Sequence, residues 1–257
     1  MKRIFITLSF AFIIATTNAQ ITMGLKLGGH LPTSGTALPG FVQIESDGTE
    51  KVLIGTMGGG LDLSGFIAFD VTKNVAFGFD AGYFNGFNIK FYQHTDTNGT
   101  GNLSKAETAA KGTFFNVSPY LSVKASNKNN QGVIPYGRLG LHTGLATVTT
   151  TTSISGVQGQ SVDRYSGNWS LGLFSAMGLS ISINKKASLF SEITIKTIGF
   201  KPKELRNLEN FEGQDAGKVT RFIKEVDPNG PTNNELSFLI PFNSLGLSFG
   251  YQYRLGK

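Results

Sequence analysis

Ser244-Leu-Gly-Leu-Ser-Phe-Gly-Tyr-Gln-Tyr-Arg-Leu255 alternates without a break. Leu245, Leu247, Phe249, Tyr251, Tyr253 and Leu255 share one side of an extended strand, and Ser244, Gly246, Ser248, Gly250, Gln252 and Arg254 share the other. A strand with one apolar, aromatic-tipped face and one face of small polar residues suits a wall between lipid and a narrow polar interior.

The same period-two test, applied along the chain, predicts eight strands. The first, over about 20–31, puts Ile21, Met23, Leu25 and Leu27 on its apolar face, and the second, over 57–71, puts Leu61, Leu63, Ile67, Phe69 and Val71 there. The third opens at Val75 and carries Phe77, Phe79, Ala81, Tyr83, Phe87 and Ile89 outward. The fourth (113–124) shows Phe115, Val117, Leu121 and Val123, and the fifth (133–148) shows Leu139, Leu141 and Leu145. The sixth (168–183) shows Trp169, Leu171, Leu173, Met177, Leu179, Ile181 and Ile183; the seventh (188–200) shows Leu189, Ile193 and Ile195; the eighth is the stretch quoted above. Connections 72–74, 125–132 and 184–187 are short, whereas those after the first, third, fifth and seventh strands are long and polar, the longest being 201–234. An even-numbered antiparallel meander with short turns at one end and long loops at the other is the layout of an outer-membrane barrel.

A secreted β-sandwich or a lipocalin-like barrel also alternates. The discriminating face is the polar one, which in water should be rich in Lys, Glu and Thr. The sixth strand presents Ser170, Gly172, Phe174, Ala176, Gly178, Ser180 and Ser182 instead, small residues that allow a tightly closed cylinder. The predicted fold class is therefore all-β, an eight-stranded antiparallel up-and-down transmembrane β-barrel.

The N-terminal Met1-Lys-Arg, the apolar run Ile4 to Ala15 and the small residues Thr17-Asn18-Ala19 read as a secretory signal peptide over 1–19, leaving a barrel domain over 20–257. The apolar run falls short of the roughly 20 residues a spanning helix needs. Loss of Lys2 and Arg3 with the leader lowers the formal charge from +6 to +4. Basic residues are scattered and not interleaved with aromatics, so no nucleic-acid partner is expected. There is no cysteine, which excludes a disulfide framework and a lipid-modified cysteine. Thirty-three glycines and 21 phenylalanines beside a single tryptophan are the compositional signature, since glycine suits strands that crowd a narrow lumen.

Three stretches carry a resemblance: Gln20 as the first mature residue, the strand Leu189-Phe190-Ser191-Glu192-Ile193, and the entry Pro241-Phe242-Asn243-Ser244-Leu245-Gly246 to the last strand. With these the chain resembles the small outer-membrane β-barrel domain family, the OmpA-like and OmpX-like eight-stranded proteins of Bacteroidetes-type Gram-negative bacteria, over essentially all of 20–257. The resemblance implies that the last strand, through Ser248, Gly250, Tyr253 and Leu255, addresses the barrel-assembly machinery, although Gly256-Lys257 stands where the family has a terminal aromatic. It also implies outer-membrane localisation and outer-membrane lipid as a partner.

Strand phase places Lys26, Asp80, Arg138 and Glu192 inside, at similar heights on the first, third, fifth and seventh strands. An isolated buried charge costs several kcal/mol, so two cations and two anions there should pair and plug the lumen. The alternative is a charged constriction that selects ions. Eight-stranded barrels include enzymes acting on lipid A, so each histidine is a candidate base. His30 and His94 fall near loop ends, and His142 faces inward with no serine two residues on, so no nucleophile-base pair is legible. Asp96-Thr-Asn98-Gly-Thr100-Gly101-Asn102-Leu103-Ser104-Lys-Ala-Glu107 reads like a twelve-residue calcium loop in its oxygen positions, yet it follows a strand and holds two carboxylates, as an ordinary exposed loop also can. No catalytic, cofactor-binding or metal residue is assigned and no cofactor is expected.

The functional expectation is a monomeric integral outer-membrane barrel with both termini in the periplasm. Its lumen would be filled and non-conducting, and its long loops would form a recognition surface for an extracellular ligand the sequence does not identify. The alternative function is a narrow porin-like channel for ions or small solutes.

Overall fold

The computed structural model describes residues 20–33, 36–45, 47, 49–96, 103–125, 132–212, 216–223 and 234–256. The expected leader, 1–19, lies outside the described residues. Eight strands form the barrel: β1 (Ile21–Pro32), β2 (Gly60–Asp70), β3 (Val75–Gly86), β4 (Leu103–Lys124), β5 (Val133–Ile154), β6 (Ser170–Ser182), β7 (Ala187–Phe200) and β8 (Ser244–Leu255). Each runs antiparallel to its sequence neighbour. β8 closes the ring on β1, from Ile21 opposite Leu255 to Pro32 opposite Ser244. Closure removes the unpaired edges an open sheet would leave.

The short turns are local hydrogen-bond devices. Thr72 Oγ1 accepts from the amides of Asn74 and Val75, and Asn184 Oδ1 accepts from those of Lys186 and Ala187, so each strand reverses within a few residues. The third short connection is described only at Ala125 and Gly132.

Alternation sorts the side chains as expected. Leu25 is 67% exposed, Leu173 57% and Met177 75%, whereas the interleaved Lys26, Phe174 and Ala176 are buried. The apolar residues exposed on the outer wall occur on all eight strands, a far larger apolar surface than a soluble monomer displays. On β6 the aliphatic ladder runs from Leu171 to Ile181. At about 3.3 Å per residue and a strand tilt near 40°, it covers about 25 Å of height, the thickness of a barrel's lipid-facing band.

The small inward residues do not leave open space. A Cβ on Gly178 would lie 2.6 Å from the Tyr136 hydroxyl, and one on Gly250 would lie 2.4 Å from the Phe190 ring, so inward rings occupy what the glycines vacate. Gly172 is closed by backbone instead: its Cβ would stand 1.9 Å from the Thr197 carbonyl oxygen.

The architecture departs from expectation above the barrel. β4 and β5 are 22 residues each, about ten and six residues longer than predicted. They rise out of the ring and carry an open sheet whose order is Glu50–Gly55, Thr36–Ile44, Ile89–Asp96, β4, β5, Ser161–Gly167, Pro202–Glu209, Val219–Ile223 and Asn234–Leu236. The segments expected as long polar loops, including 201–234, thus contain strands. Threonines 149–152 favour extended backbone but present no apolar face, so a test that seeks apolar alternation stops where the lipid stops.

An apolar cluster closes the same end of the ring. Phe84, Phe114, Ile198, Phe200, Ala146 and Val148 from the barrel strands meet Leu38, Met57, Phe91, Ile240 and Phe242 from the connections. Ile240–Pro241 pairs with the end of β7, and Thr56 fastens the crossing: its hydroxyl donates to the Pro241 carbonyl at 2.8 Å and accepts from the Asn243 amide at 2.7 Å.

Candidate functional site

The four inward charges meet. Lys26 Nζ lies 2.6 Å from Asp80 Oδ2 and 2.9 Å from Glu192 Oε1, and Arg138 Nη1 lies 3.4 Å from Glu192 Oε2. The Tyr136 hydroxyl donates to the same Glu192 oxygen at 3.0 Å. Phe66, Tyr120, Tyr136 and Phe190 surround the Arg138 guanidinium at 4.6 to 5.6 Å, a cage suited to a flat delocalised cation. Two positive and two negative groups cancel within one tier, which is the arrangement that makes buried charge tolerable.

A second tier, which the sequence reading missed, lies toward the apolar cluster. Lys196 Nζ hydrogen-bonds Asp62 Oδ2, and His30 Nε2 stands 3.6 Å from the same oxygen. The signal was present: Asp62 alternates with Leu61 and Leu63, and Lys196 with Ile195, so the phase argument that found the first tier also places these inside. Above the second tier come the rings of Phe84, Phe114 and Phe242, with a cavity of about 10 Å³ among them. Below the first tier a cavity of about 60 Å³, lined by Thr22, Ser122, Ser180, Ser188 and Gln252, has room for a few water molecules. It is rimmed by the Lys124–Asp70 ion pair at 2.7 Å.

His142 faces inward as expected, whereas His30 and His94 are held by partners from distant strands. His30, predicted near a loop end, is buried, and its Nδ1 is 3.2 Å from Ser244 Oγ. His142 Nδ1 is 2.8 Å from Ser118 Oγ. Two serine-histidine pairs therefore exist where the sequence showed none, because their partners come from different strands, 214 residues apart for His30 and Ser244. Ser244, His30 and Asp62 stand in the order of a nucleophile-base-carboxylate array, but Lys196 already holds Asp62 and the adjoining cavity cannot admit an acyl group. His94 joins two strands of the outer sheet, its Nδ1 donating to the Ile44 carbonyl at 3.0 Å.

The described ends of the calcium-like stretch belong to two antiparallel strands. Asp96 is opposite Leu103, and Glu107 is opposite Tyr92, four residues farther along the ladder. At about 3.3 Å per residue, the backbones of Asp96 and Glu107 are separated by roughly 13 Å along the ladder. Glu107 instead pairs with Lys90 at 2.7 Å. Residues 97–102 lie outside the described residues. Millimolar Ca²⁺ is expected to leave the melting temperature in detergent unchanged; a rise that Glu107→Gln abolishes would restore the metal reading.

Outside the ring, Tyr165 stacks on Phe222 with centroids 6.1 Å apart, and Phe238 meets Phe222 edge-on at 5.2 Å. Burial, aided by Asp163 and Glu235, pushes the Tyr165 phenol up to about 12.

A closed ring with apolar side chains turned out on every strand and charges turned in admits one solvent on its outer wall, which is lipid. The chain is a transmembrane β-barrel of the outer-membrane type. No family model matches it, and no curated protein does. Among solved structures it is similar to the outer membrane protein OprG from Pseudomonas aeruginosa, at 12% identity over 93% of this chain and 97% of that one, with a TM-score of 0.48. It is also similar to Neisserial surface protein A (11% identity, 91% and 97% covered, TM-score 0.37) and to the outer membrane protein AlkL (12%, 93% and 92%, TM-score 0.36). These are likenesses of shape alone and say nothing about role.

Proposed function

We propose that the chain is a monomeric, non-enzymatic outer-membrane protein whose lumen does not conduct and whose projecting sheet is its recognition surface outside the cell. The observation that supports a sealed lumen is the stack of neutral ionic tiers, inward rings and apolar cover along one axis. Eight strands leave an interior just wide enough for side chains, and here charged and aromatic side chains take it up. The recognition role rests on the size and position of the sheet, which stands beyond the lipid-facing apolar band on the side of the long connections.

In this reading residues 1–19 are a leader removed before Gln20, the last strand engages the barrel-assembly machinery, and the kinship is with OmpA-like and OmpX-like barrels of the Bacteroidetes type. Its support is the leader pattern and the alternation of Ser244 to Leu255. Planar-bilayer recording of the purified protein tests the sealed lumen. No reproducible conductance steps are expected from wild type, and stable unitary steps would favour the narrow-channel alternative.

A further inference from the structure

A groove of about 580 Å³ lies on the outside of the wall, where β6 begins and β7 ends. Gly172 pairs with Ile198, so Leu171 and Gly199 stand side by side on the outer face. Leu239 folds over Gly199, where a Cβ would be only 2.6 Å from the leucine side chain. Trp169, 56% exposed, and Leu171, 68% exposed, complete an apolar floor. The rim is cationic. Lys201 and Lys203 flank the buried Pro202 at an irregularity in the strand, and both are exposed. Among the described residues neither has a carboxylate within ion-pair distance, because Glu204 is taken by Arg206 at 3.1 Å.

Position gives the groove its meaning. Trp169 sits one outward step above Leu171, where the aliphatic ladder of β6 ends, which is the headgroup level of the leaflet on the side of the projecting sheet. Tryptophan favours that interface, and lysines there keep their stems in the apolar zone with the ammonium groups in the polar one. An apolar floor continuous with the lipid-facing wall, under two ammonium groups that no carboxylate pairs among the described residues, complements an amphiphile with an acyl chain below and an anion above.

We infer that this groove is a binding site for a phosphate-bearing acyl lipid of the outer leaflet, its phosphate between Lys201 and Lys203 and an acyl chain along Trp169, Leu171 and Leu239. The inference rests on the barrel lying in the membrane and is independent of whether the lumen conducts.

Trp169 is the chain's single tryptophan, so its emission reports this groove alone. The full chain is reconstituted in phosphatidylcholine vesicles containing, at equal mole fraction, either dibrominated phosphatidic acid or dibrominated phosphatidylcholine. Severalfold stronger quenching by the brominated phosphatidic acid is expected. Lys201→Gln/Lys203→Gln should reduce it to the phosphatidylcholine level while leaving quenching by brominated phosphatidylcholine unchanged, which also shows the variant inserted. Equal quenching by the two lipids in wild type, or a preference that survives the double substitution, overturns the site. So does a response to inorganic phosphate without any preference between lipids, since that would mark a free-anion site.

Discussion

Glu192→Ala should lower the barrel's unfolding free energy by about 3–5 kcal/mol, the loss seen when one member of a buried charge cluster is removed. Glu192 is 1% exposed and is the shared acceptor of the lower tier, contacting Lys26, Tyr136 and Arg138. Its removal leaves two cations against the single carboxylate of Asp80. Lys26 keeps that carboxylate at 2.6 Å, so the uncompensated charge falls on Arg138, inside its aromatic cage. Arg138→Met should be destabilising for the mirror-image reason, leaving Glu192 with a smaller share of positive charge. The Arg138→Met/Glu192→Met double variant restores neutrality and fills the tier with apolar volume, so its loss should be well below the sum of the single losses. Urea unfolding of the refolded protein in lipid vesicles measures all three. Additive losses, or a negligible loss for Glu192→Ala, would mean that the tier is wet and screened and would remove the main support for a sealed lumen.

Met177→Arg should impair the barrel by about 2–4 kcal/mol, because Met177 is the most exposed of the β6 ladder and lies near its centre, at the bilayer midplane. Ile183→Arg, beyond the end of β6 and close to the interface, should cost only about 0–1 kcal/mol. The gradient along one strand is the diagnostic, since a water-exposed wall would treat the two positions alike. Insertion yield into vesicles, followed by the mobility difference between heated and unheated samples on gels, reads the effect. Equal yields for the two variants would contradict a lipid-facing wall. Gly172→Ser is no neutral comparison for such a series, because the Thr197 carbonyl leaves no room for its Cβ.

The outer sheet shows where reading by alternation ends. In the lipid-facing span an apolar residue must recur at every second position, and the strands Ser188 to Phe200 and Ser244 to Leu255 were legible almost to the residue. Above the span the backbone remains extended, but water wets the wall and the chemical demand relaxes. Leu103 to Gly112 of β4 and Thr149 to Ile154 of β5 therefore read as loop although they pair along their length, from Ala106 opposite Ile154 to Gly112 opposite Val148. The calcium-like pattern was likewise counted along a loop, whereas Glu107 belongs to a ladder that fixes it opposite Tyr92, and 97–102 of the pattern lie outside the described residues.

The sequence by itself determined the barrel, its strand count and the inward phase of Lys26, Asp80, Arg138 and Glu192, because alternation is a one-dimensional consequence of a wall with lipid on one side. Only the tertiary structure decided which charges meet. The upper tier of Asp62, Lys196 and His30, the serine-histidine pairs and the apolar cover of Met57, Ile240 and Phe242 join residues from strands and connections far apart in the chain. Their heights depend on the tilt and stagger of the closed ring. Phase says whether a side chain points inward, but the stagger between strands decides what it faces there.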